Sequence, residues 1–191
     1  MLTAKYIDTG DILDITKIKN PRAEIEKTRL VCRFCEKPLM IKQGVIRIKH
    51  FAHIATCTTT MQRHPESIEH NLGKELLAEH VKKYWREYSN VRVEFEYILP
   101  EIGRIADIAM IFPSGWIVVH EVQLAAITNE ELNKRTEDYA SIGVDCVWWL
   151  GKSADTRNNQ EWCIYKFGYS LSIDYEVLRS KVKSLQKEED I

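Results

Sequence analysis

Two apolar segments of strand length, separated by a Pro-Ser-Gly turn, constrain the fold of this chain more than any other feature. The apolar runs on both sides of Pro113–Gly115 favour a β-hairpin. Asp107 lies six residues before the turn and Glu121 six residues after it. The hairpin would therefore place the two carboxylates opposite each other on neighbouring strands, with Gln123 on the same side as Glu121.

The immediate neighbours of both acids are isoleucine, alanine, valine and a histidine. Two ionised carboxylates in such surroundings repel each other and lose hydration unless a cation lies between them. Mg²⁺ and Mn²⁺ are hard divalent cations that prefer oxygen ligands. Asp107 and Glu121 are thus predicted to hold one of these ions. Two solvent-facing acids are the alternative, which the apolar neighbours disfavour.

The composition indicates a globular protein without a membrane segment. The chain has 191 residues, of which 45% are hydrophobic and 29% charged, and this fits one domain with a small appendage. It contains no apolar run of membrane-spanning length, and its N-terminus lacks the features of a signal peptide. We therefore expect a cytoplasmic protein, in which five cysteines serve as metal ligands and buried thiols rather than disulfides.

The charges are unevenly distributed along the chain. Residues 1–64 contain twelve lysines and arginines against six acids, whereas residues 65–191 contain fifteen against twenty-two. A basic segment beside an acidic metal site could hold a polyanion. A solvated basic surface without a ligand is the alternative, and the charge count alone does not separate the two.

Cysteines and histidines cluster within the basic segment. Cys32-x-x-Cys35 is followed by His50-x-x-His53 and by Cys57. This spacing predicts a structural Zn²⁺ site that takes one ligand pair from each of two hairpins. The favoured ligands are Cys32, Cys35, His53 and Cys57, with His50 as the alternative histidine. Cys146 and Cys163 lie in apolar runs and are predicted to be buried thiols on strands.

The remaining periodicity gives a coarse order of elements. Residues 1–64 are predicted to form an N-terminal β-hairpin and zinc-binding module, and residues 65–191 a second domain. The predicted elements are a hairpin over 2–7 and 11–19, a helix from 65 to 87, strands at 91–99, 104–112 and 116–124, a helix over 128–141, strands at 144–150 and 162–167, and a helix over 174–187. The strand at 144–150 is expected to lie parallel to the third strand after a helical crossover.

Seven motifs in this order carry a resemblance to a known family. They are Cys32-x-x-Cys35, His50-Phe-Ala-His53, Glu66-Ser67-x-x-His70-x-x-x-Lys74, Arg104-x-Ala-Asp107, Glu121-Val122-Gln123, Arg135-x-x-x-Tyr139 and Trp148-Trp149-Leu150. The chain resembles the PD-(D/E)XK nuclease superfamily, and more closely the competence protein CoiA-like family. The resemblance implies an α/β (α+β) protein, with a restriction-endonuclease-like αβββαβ core and a small N-terminal zinc-binding β-rich module.

The resemblance also implies roles for individual residues. Asp107 and Glu121 would bind the catalytic metal, and Gln123 stands where the superfamily usually has a lysine. Glutamine can orient a water molecule but supplies no charge, so Lys74 or Arg135 could supply it instead.

Three polar residues at positions 66, 70 and 74 would share one helical face. Glu66 is predicted as a third acid, with Glu69 as its rival, although a solvated polar stripe has the same spacing. The residues predicted to contact nucleic acid are Arg104, Arg135, Tyr139 and His70. For Arg135 and Tyr139 the alternative is a surface pair.

The carboxylate site and the resemblance together predict a Mg²⁺- or Mn²⁺-dependent deoxyribonuclease. A role in DNA uptake, DNA processing or a response to foreign DNA is implied by the resemblance. DNA is the expected partner, and a homo-oligomer or a protein partner is compatible with the sequence. Two other functions remain: a DNA-binding protein of the same fold that does not cleave, and an assembly subunit that docks a partner through its zinc module. His120 and one of Trp148 and Trp149 are expected to face away from the carboxylates.

Overall fold

A computed structural model describes residues 1–26, 29–43, 49–57 and 67–187. The chain divides into two compact units. The first comprises Met1–Leu72 and the chain from Lys181 onward, and the second comprises Gly73–Ser180.

The first unit is built from short antiparallel strands. Strands β1 (Thr3–Tyr6), β2 (Ile12–Asp14) and β3 (Leu30–Val31) form one sheet in the order β2-β1-β3. Helix α1 (Pro21–Glu24) lies between β2 and β3 in the sequence. The predicted N-terminal hairpin is present, but β2 ends at Asp14 because its carboxylate accepts the N–H of Thr16 and caps a 3₁₀ turn. Strands β4 (Leu39–Lys42) and β5 (His50–His53) pair antiparallel, with Leu39 opposite His53.

A five-stranded sheet forms the centre of the second unit. Its strands are β6 (Arg92–Leu99), β7 (Arg104–Ile111), β8 (Ile117–Gln123), β9 (Asp145–Leu150) and β10 (Leu171–Ser172), in the order β10-β9-β8-β7-β6. Strands β6, β7 and β8 form an antiparallel meander, and β9 lies parallel to β8 as predicted. Within the described residues, the α-helices after α1 are α2 (Ile68–Tyr84), α3 (Asn129–Ser141), α4 (Arg157–Phe167) and α5 (Tyr175–Lys187). The αβββαβ order is therefore confirmed.

Helix α3 carries the crossover between the two parallel strands and covers one face of the sheet. Thr128 caps its N-terminus, since its side-chain oxygen accepts the N–H of Glu131 at 3.2 Å. Leu132 and Tyr139 are fully buried within the core cluster that also contains Val119 and Trp148. Because these residues pack together, α3 lies on one defined face of the sheet, and its polar side chains can reach β8 from that face.

The two tryptophans of β9 lie on opposite faces, as alternation predicts. Trp148 Nε1 donates to Thr136 on α3, whereas Trp149 Nε1 donates to His120 Nδ1 on the other face, each at 3.0 Å. Both tryptophans are buried. The rings of Trp85 and Tyr88 also contact His120, and burial lowers the pKa of this histidine from 6.5 to about 4.

The predicted strand at 162–167 is wrong, because these residues form the second half of α4. Thr156 caps this helix, and Gly168 ends it with a φ of +83°. Alternating aromatic and polar residues resembled a strand, but Cys163 is buried while Tyr165 is 90% exposed. Cys163 is thus a buried thiol on a helix. Strand β10, which the sequence did not reveal, lies parallel to β9.

Within the described ranges, no helix has both the length and the apolar character needed to cross a membrane.

Candidate functional site

The four predicted zinc ligands come together in the first unit. The ligand atoms of Cys32, Cys35, His53 and Cys57 all lie within 4.8 Å of one another. Cys35 Sγ is 3.4 Å from His53 Nε2 and 3.5 Å from Cys57 Sγ. His50, the alternative ligand, lies at the other end of β5 opposite Lys42 and outside this group.

A tight turn brings the first two cysteines together. The N–H of Glu36 donates to the carbonyl of Cys32, and the N–H of Cys32 donates to the carbonyl of Lys37. Glu36 has a φ of +55°, which bends the chain back after Cys35. The N–H of Phe34 points at Cys32 Sγ at 3.4 Å. Three thiols and one imidazole form the donor set of a closed structural site, so this cluster could hold zinc.

The carboxylate site lies where β7 and β8 separate. Their pairing runs from Ile111–Ile117 to Ile108–His120, and the same register places Asp107 opposite Glu121. At this point the Oδ2 atom of Asp107 accepts the N–H of Val122 at 2.9 Å. The half-buried carboxylate of Asp107 thus takes the role that a backbone carbonyl has in the regular ladder.

Glu121 is only 2% exposed and binds two residues of α3. One carboxylate oxygen accepts from the guanidinium of Arg135, and the other accepts from the hydroxyl of Tyr139. Arg135 and Tyr139 are one helical turn apart and therefore reach the same carboxylate. Arg135 also lies over the ring of Trp148, 4.7 Å from its centroid. α3 thus supplies a buried cation directly at the acid.

The charge states in this network follow from burial and proximity. Burial would lower the pKa of Arg135, but the negative charge of Glu121 raises it overall, so the guanidinium stays charged. Burial, and then the charge of Glu121, raises the pKa of Tyr139 well above its usual value, so its hydroxyl remains a neutral donor. The expected repulsion between the two acids is therefore reduced by Arg135, which the sequence analysis had assigned to phosphate binding or to the charge that Gln123 lacks.

Gln123 is also fixed by hydrogen bonds. Its Oε1 atom accepts from Arg135 Nη1 at 3.2 Å, and its Nε2 atom donates to the carbonyl of Ala125 at 2.8 Å. The guanidinium of Arg135 consequently lies against the side-chain oxygen of Gln123. One amide hydrogen of Gln123 is not used by these two bonds.

The residues predicted to contact DNA differ in their burial and in their partners. Arg135 and Tyr139 are buried at 6% and 0% exposure, so their part in binding phosphate stays a prediction. Arg104 is 6% exposed, and its Nε and Nη2 atoms lie 2.7 Å and 2.5 Å from Asp138 Oδ2. His70 is half-buried on the first turn of α2. Glu66, the predicted third acid, lies outside the described residues.

One functional candidate, Glu96 on β6, was not identified from the sequence. Lys74 on α2 is fully buried, and its Nζ atom is 3.4 Å from Oε1 of Glu96 on β6, which is 1% exposed. In the sequence, Glu96 follows the same alternation as the half-buried Glu94 and looks like an outward-facing strand residue. Its backbone, with a φ of +53°, departs from the strand conformation, and no local sequence signal indicates this.

Comparison with known proteins identifies the family of this chain. The family model described as "Competence protein CoiA, nuclease-like domain" matches residues 66–182, and the model of the CoiA N-terminal domain matches residues 14–60. The chain belongs to the competence protein CoiA family. The competence protein CoiA of Bacillus subtilis (strain 168) is 26% identical to it over 130 residues, which cover 68% of this chain and 33% of that protein. The chain thus matches about a third of the length of this relative.

Among solved structures, a repair endonuclease from Pyrococcus abyssi resembles 58% of this CoiA-family chain and 49% of its own chain, with 16% sequence identity and a TM-score of 0.34.

Proposed function

We propose that this CoiA-family chain is a Mg²⁺- or Mn²⁺-dependent deoxyribonuclease that hydrolyses phosphodiester bonds during DNA uptake, DNA processing or a response to foreign DNA. The observation that carries the proposal is the position of Asp107, a half-buried carboxylate opposite Glu121 at the point where β7 and β8 separate. The family match to a nuclease-like domain supports it.

The donor set fits a hard divalent cation. Asp107 and Glu121 offer carboxylate oxygens, each of which has two lone pairs. The bonds from Val122, Arg135 and Tyr139 hold the two carboxylates in place. When bound, a divalent ion lowers the pKa of its water and neutralises charge on the phosphate.

The residues of the chain would then have distinct roles. Arg135 and Tyr139 hold Glu121 in a fixed orientation, which keeps it aimed at the site. Gln123, itself held by Arg135 and Ala125, can orient a water with its remaining amide hydrogen. Lys74 adds a positive charge from α2, and Glu66 is proposed as a further acid. Arg104 and His70 are proposed to contact the DNA, and the zinc module to stabilise the fold and offer a basic surface.

The test is divalent-dependent cleavage of plasmid and single-stranded DNA by the purified chain. We expect cleavage that requires Mg²⁺ or Mn²⁺ and that is lost in the Asp107→Ala variant. Glu161→Gln, which removes an exposed acid on α4, is the matched control and should cleave like the wild type. Cleavage without a divalent ion, or retained by Asp107→Ala, would contradict the proposal.

A second function is favoured by one observation, the two hydrogen bonds that fix Gln123 in the position of the superfamily's lysine. A chain that binds DNA in the same assay but never cleaves it would be a DNA-binding member of the family. A chain that neither binds nor cleaves DNA would favour a subunit that docks a protein partner through its zinc module.

A further inference from the structure

Lys74 and Glu96 form a buried ion pair within the second unit. Lys74 is fully buried, Glu96 is 1% exposed, and 3.4 Å separate Nζ from Oε1. Removing two charges from water is unfavourable, and an apolar pair of similar size often stabilises a protein equally well or better. The pair therefore calls for an explanation other than stability.

The register of the sheet places Glu96 opposite Asp107. β6 and β7 pair at Phe95–Ile108 and again at Tyr97–Ala106, but not at the position between them. The register is the same on both sides of this gap, so no residue is inserted. Glu96 and Asp107 face each other across the interruption, and neighbouring antiparallel strands are about 5 Å apart.

The backbone of Glu96 is left-handed at this same position. Its φ of +53° lies in a region that residues with a side chain rarely adopt. Such conformations persist where surrounding contacts hold them, and they are concentrated at functional sites. The unusual backbone, the gap in the ladder and the buried ion pair thus coincide at one residue.

Helix α2 approaches the carboxylate site next to Lys74. A Cβ atom on Gly73 would lie 3.4 Å from Cγ1 of Val122, so the helix backbone packs closely against β8 at this point. The N–H of Val122 is the donor that holds Asp107. Lys74 follows Gly73 in the chain, so the backbone of Lys74 belongs to the helical turn that packs against β8.

We infer that Glu96 is a positioning residue that holds the ammonium of Lys74 at the carboxylate site, and that this ammonium supplies a charge which Gln123 cannot. The inference rests on the proposed nuclease function. Because Lys74 is out of contact with water here, its charge acts across a short distance in a medium of low dielectric constant. The site would then have one fixed cation from α2 in addition to Arg135 from α3.

A double-mutant cycle separates this role from a structural one. The variants are Lys74→Met, Glu96→Gln and the two combined, and each is measured for cleavage rate, Mg²⁺ dependence and urea unfolding. Each single substitution removes one charge of the buried pair and should destabilise the second unit, whereas the double variant removes both charges and should regain stability. Asn159→Ala, which removes a buried side chain bonded to Ile127 and Ala154, is the control for lost stability alone.

The expected result is a kcat about 100-fold below the wild type in all three variants, at an unchanged Mg²⁺ concentration for half-maximal rate. The stable double variant should be as slow as Lys74→Met. If the double variant instead cleaves like Asn159→Ala, the pair is structural and the inference fails while the nuclease function stands. A raised Mg²⁺ requirement in Glu96→Gln would make Glu96 a metal ligand, which also overturns it. A wild type that does not cleave refutes the proposed function and the inference together.

Discussion

The guanidinium of Arg135 and the carboxylate of Glu121 form a buried ion pair between α3 and β8. Their side chains are 7% and 2% exposed, so neither group can turn to water if the other is removed. Breaking such a pair costs more than the pair contributes, because an uncompensated charge stays inside the protein. Substitutions of Glu121 are therefore expected to change stability more than substitutions of Asp107.

We expect Asp107→Asn and Glu121→Ala to differ in stability although both should abolish cleavage. Asparagine keeps an oxygen that can accept the N–H of Val122, so unfolding in urea should change by less than about 1 kcal/mol. Glu121→Ala removes the carboxylate that pairs with the buried Arg135 and should cost about 3–5 kcal/mol. Equal stability of the two variants would show that Arg135 finds another partner.

A lysine at position 123 is expected to destabilise the second unit. Arg135 Nη1 lies 3.2 Å from the Gln123 oxygen, so a second cation would be placed against the first. The double variant Gln123→Lys with Arg135→Gln moves the charge from α3 to β8 and should regain stability, because Lys would then face Glu121. The stabilities of the two single variants and of the double variant are compared by thermal unfolding. A Gln123→Lys variant as stable as the wild type would contradict the expectation.

The cysteine cluster should hold one zinc ion per chain. Metal analysis should find it in the wild type and in His50→Ala, and should show its loss in His53→Ala and Cys57→Ser, since His50 lies outside the ligand group. All five tryptophans, at positions 85, 116, 148, 149 and 162, belong to the second unit. Their fluorescence should stay native in the zinc-free variants, while proteolysis of the first unit increases. Zinc retained by His53→Ala would refute the ligand set.

Stability should fall as the pH drops below the usual pKa of histidine. Burial lowers the pKa of His120 to about 4 from 6.5, so the unfolded chain binds a proton more readily between these values. The stability is complete above about pH 6.5 and decreases progressively towards pH 4, by up to about 3 kcal/mol. His120→Gln keeps a side-chain acceptor for Trp149 and removes the titration. The difference in unfolding free energy between pH 7 and pH 5 should therefore be smaller in this variant.

Local patterns predicted the elements that have strong periodicity or clear end signals. The hairpin around Pro113–Gly115, the capped helix after Thr128 and the parallel strand before Gly151 were all identified in this way. The strand predicted at 162–167 failed because alternation over six residues also fits one face of a short helix. There the deciding features were the Thr156 cap and Gly168, which lie outside the run.

The sequence by itself determined the αβββαβ order and the cysteine-histidine cluster, because ligand spacing and apolar periodicity are local properties of a chain. Tertiary structure alone decided which charges meet. Lys74 and Glu96 are 22 residues apart, and Arg135 and Glu121 are 14 apart, and in each pair the residues come from different elements. Their pairing depends on how each helix packs against the sheet and on a left-handed residue within β6. The neighbouring residues in the sequence specify neither the helix packing nor the left-handed backbone.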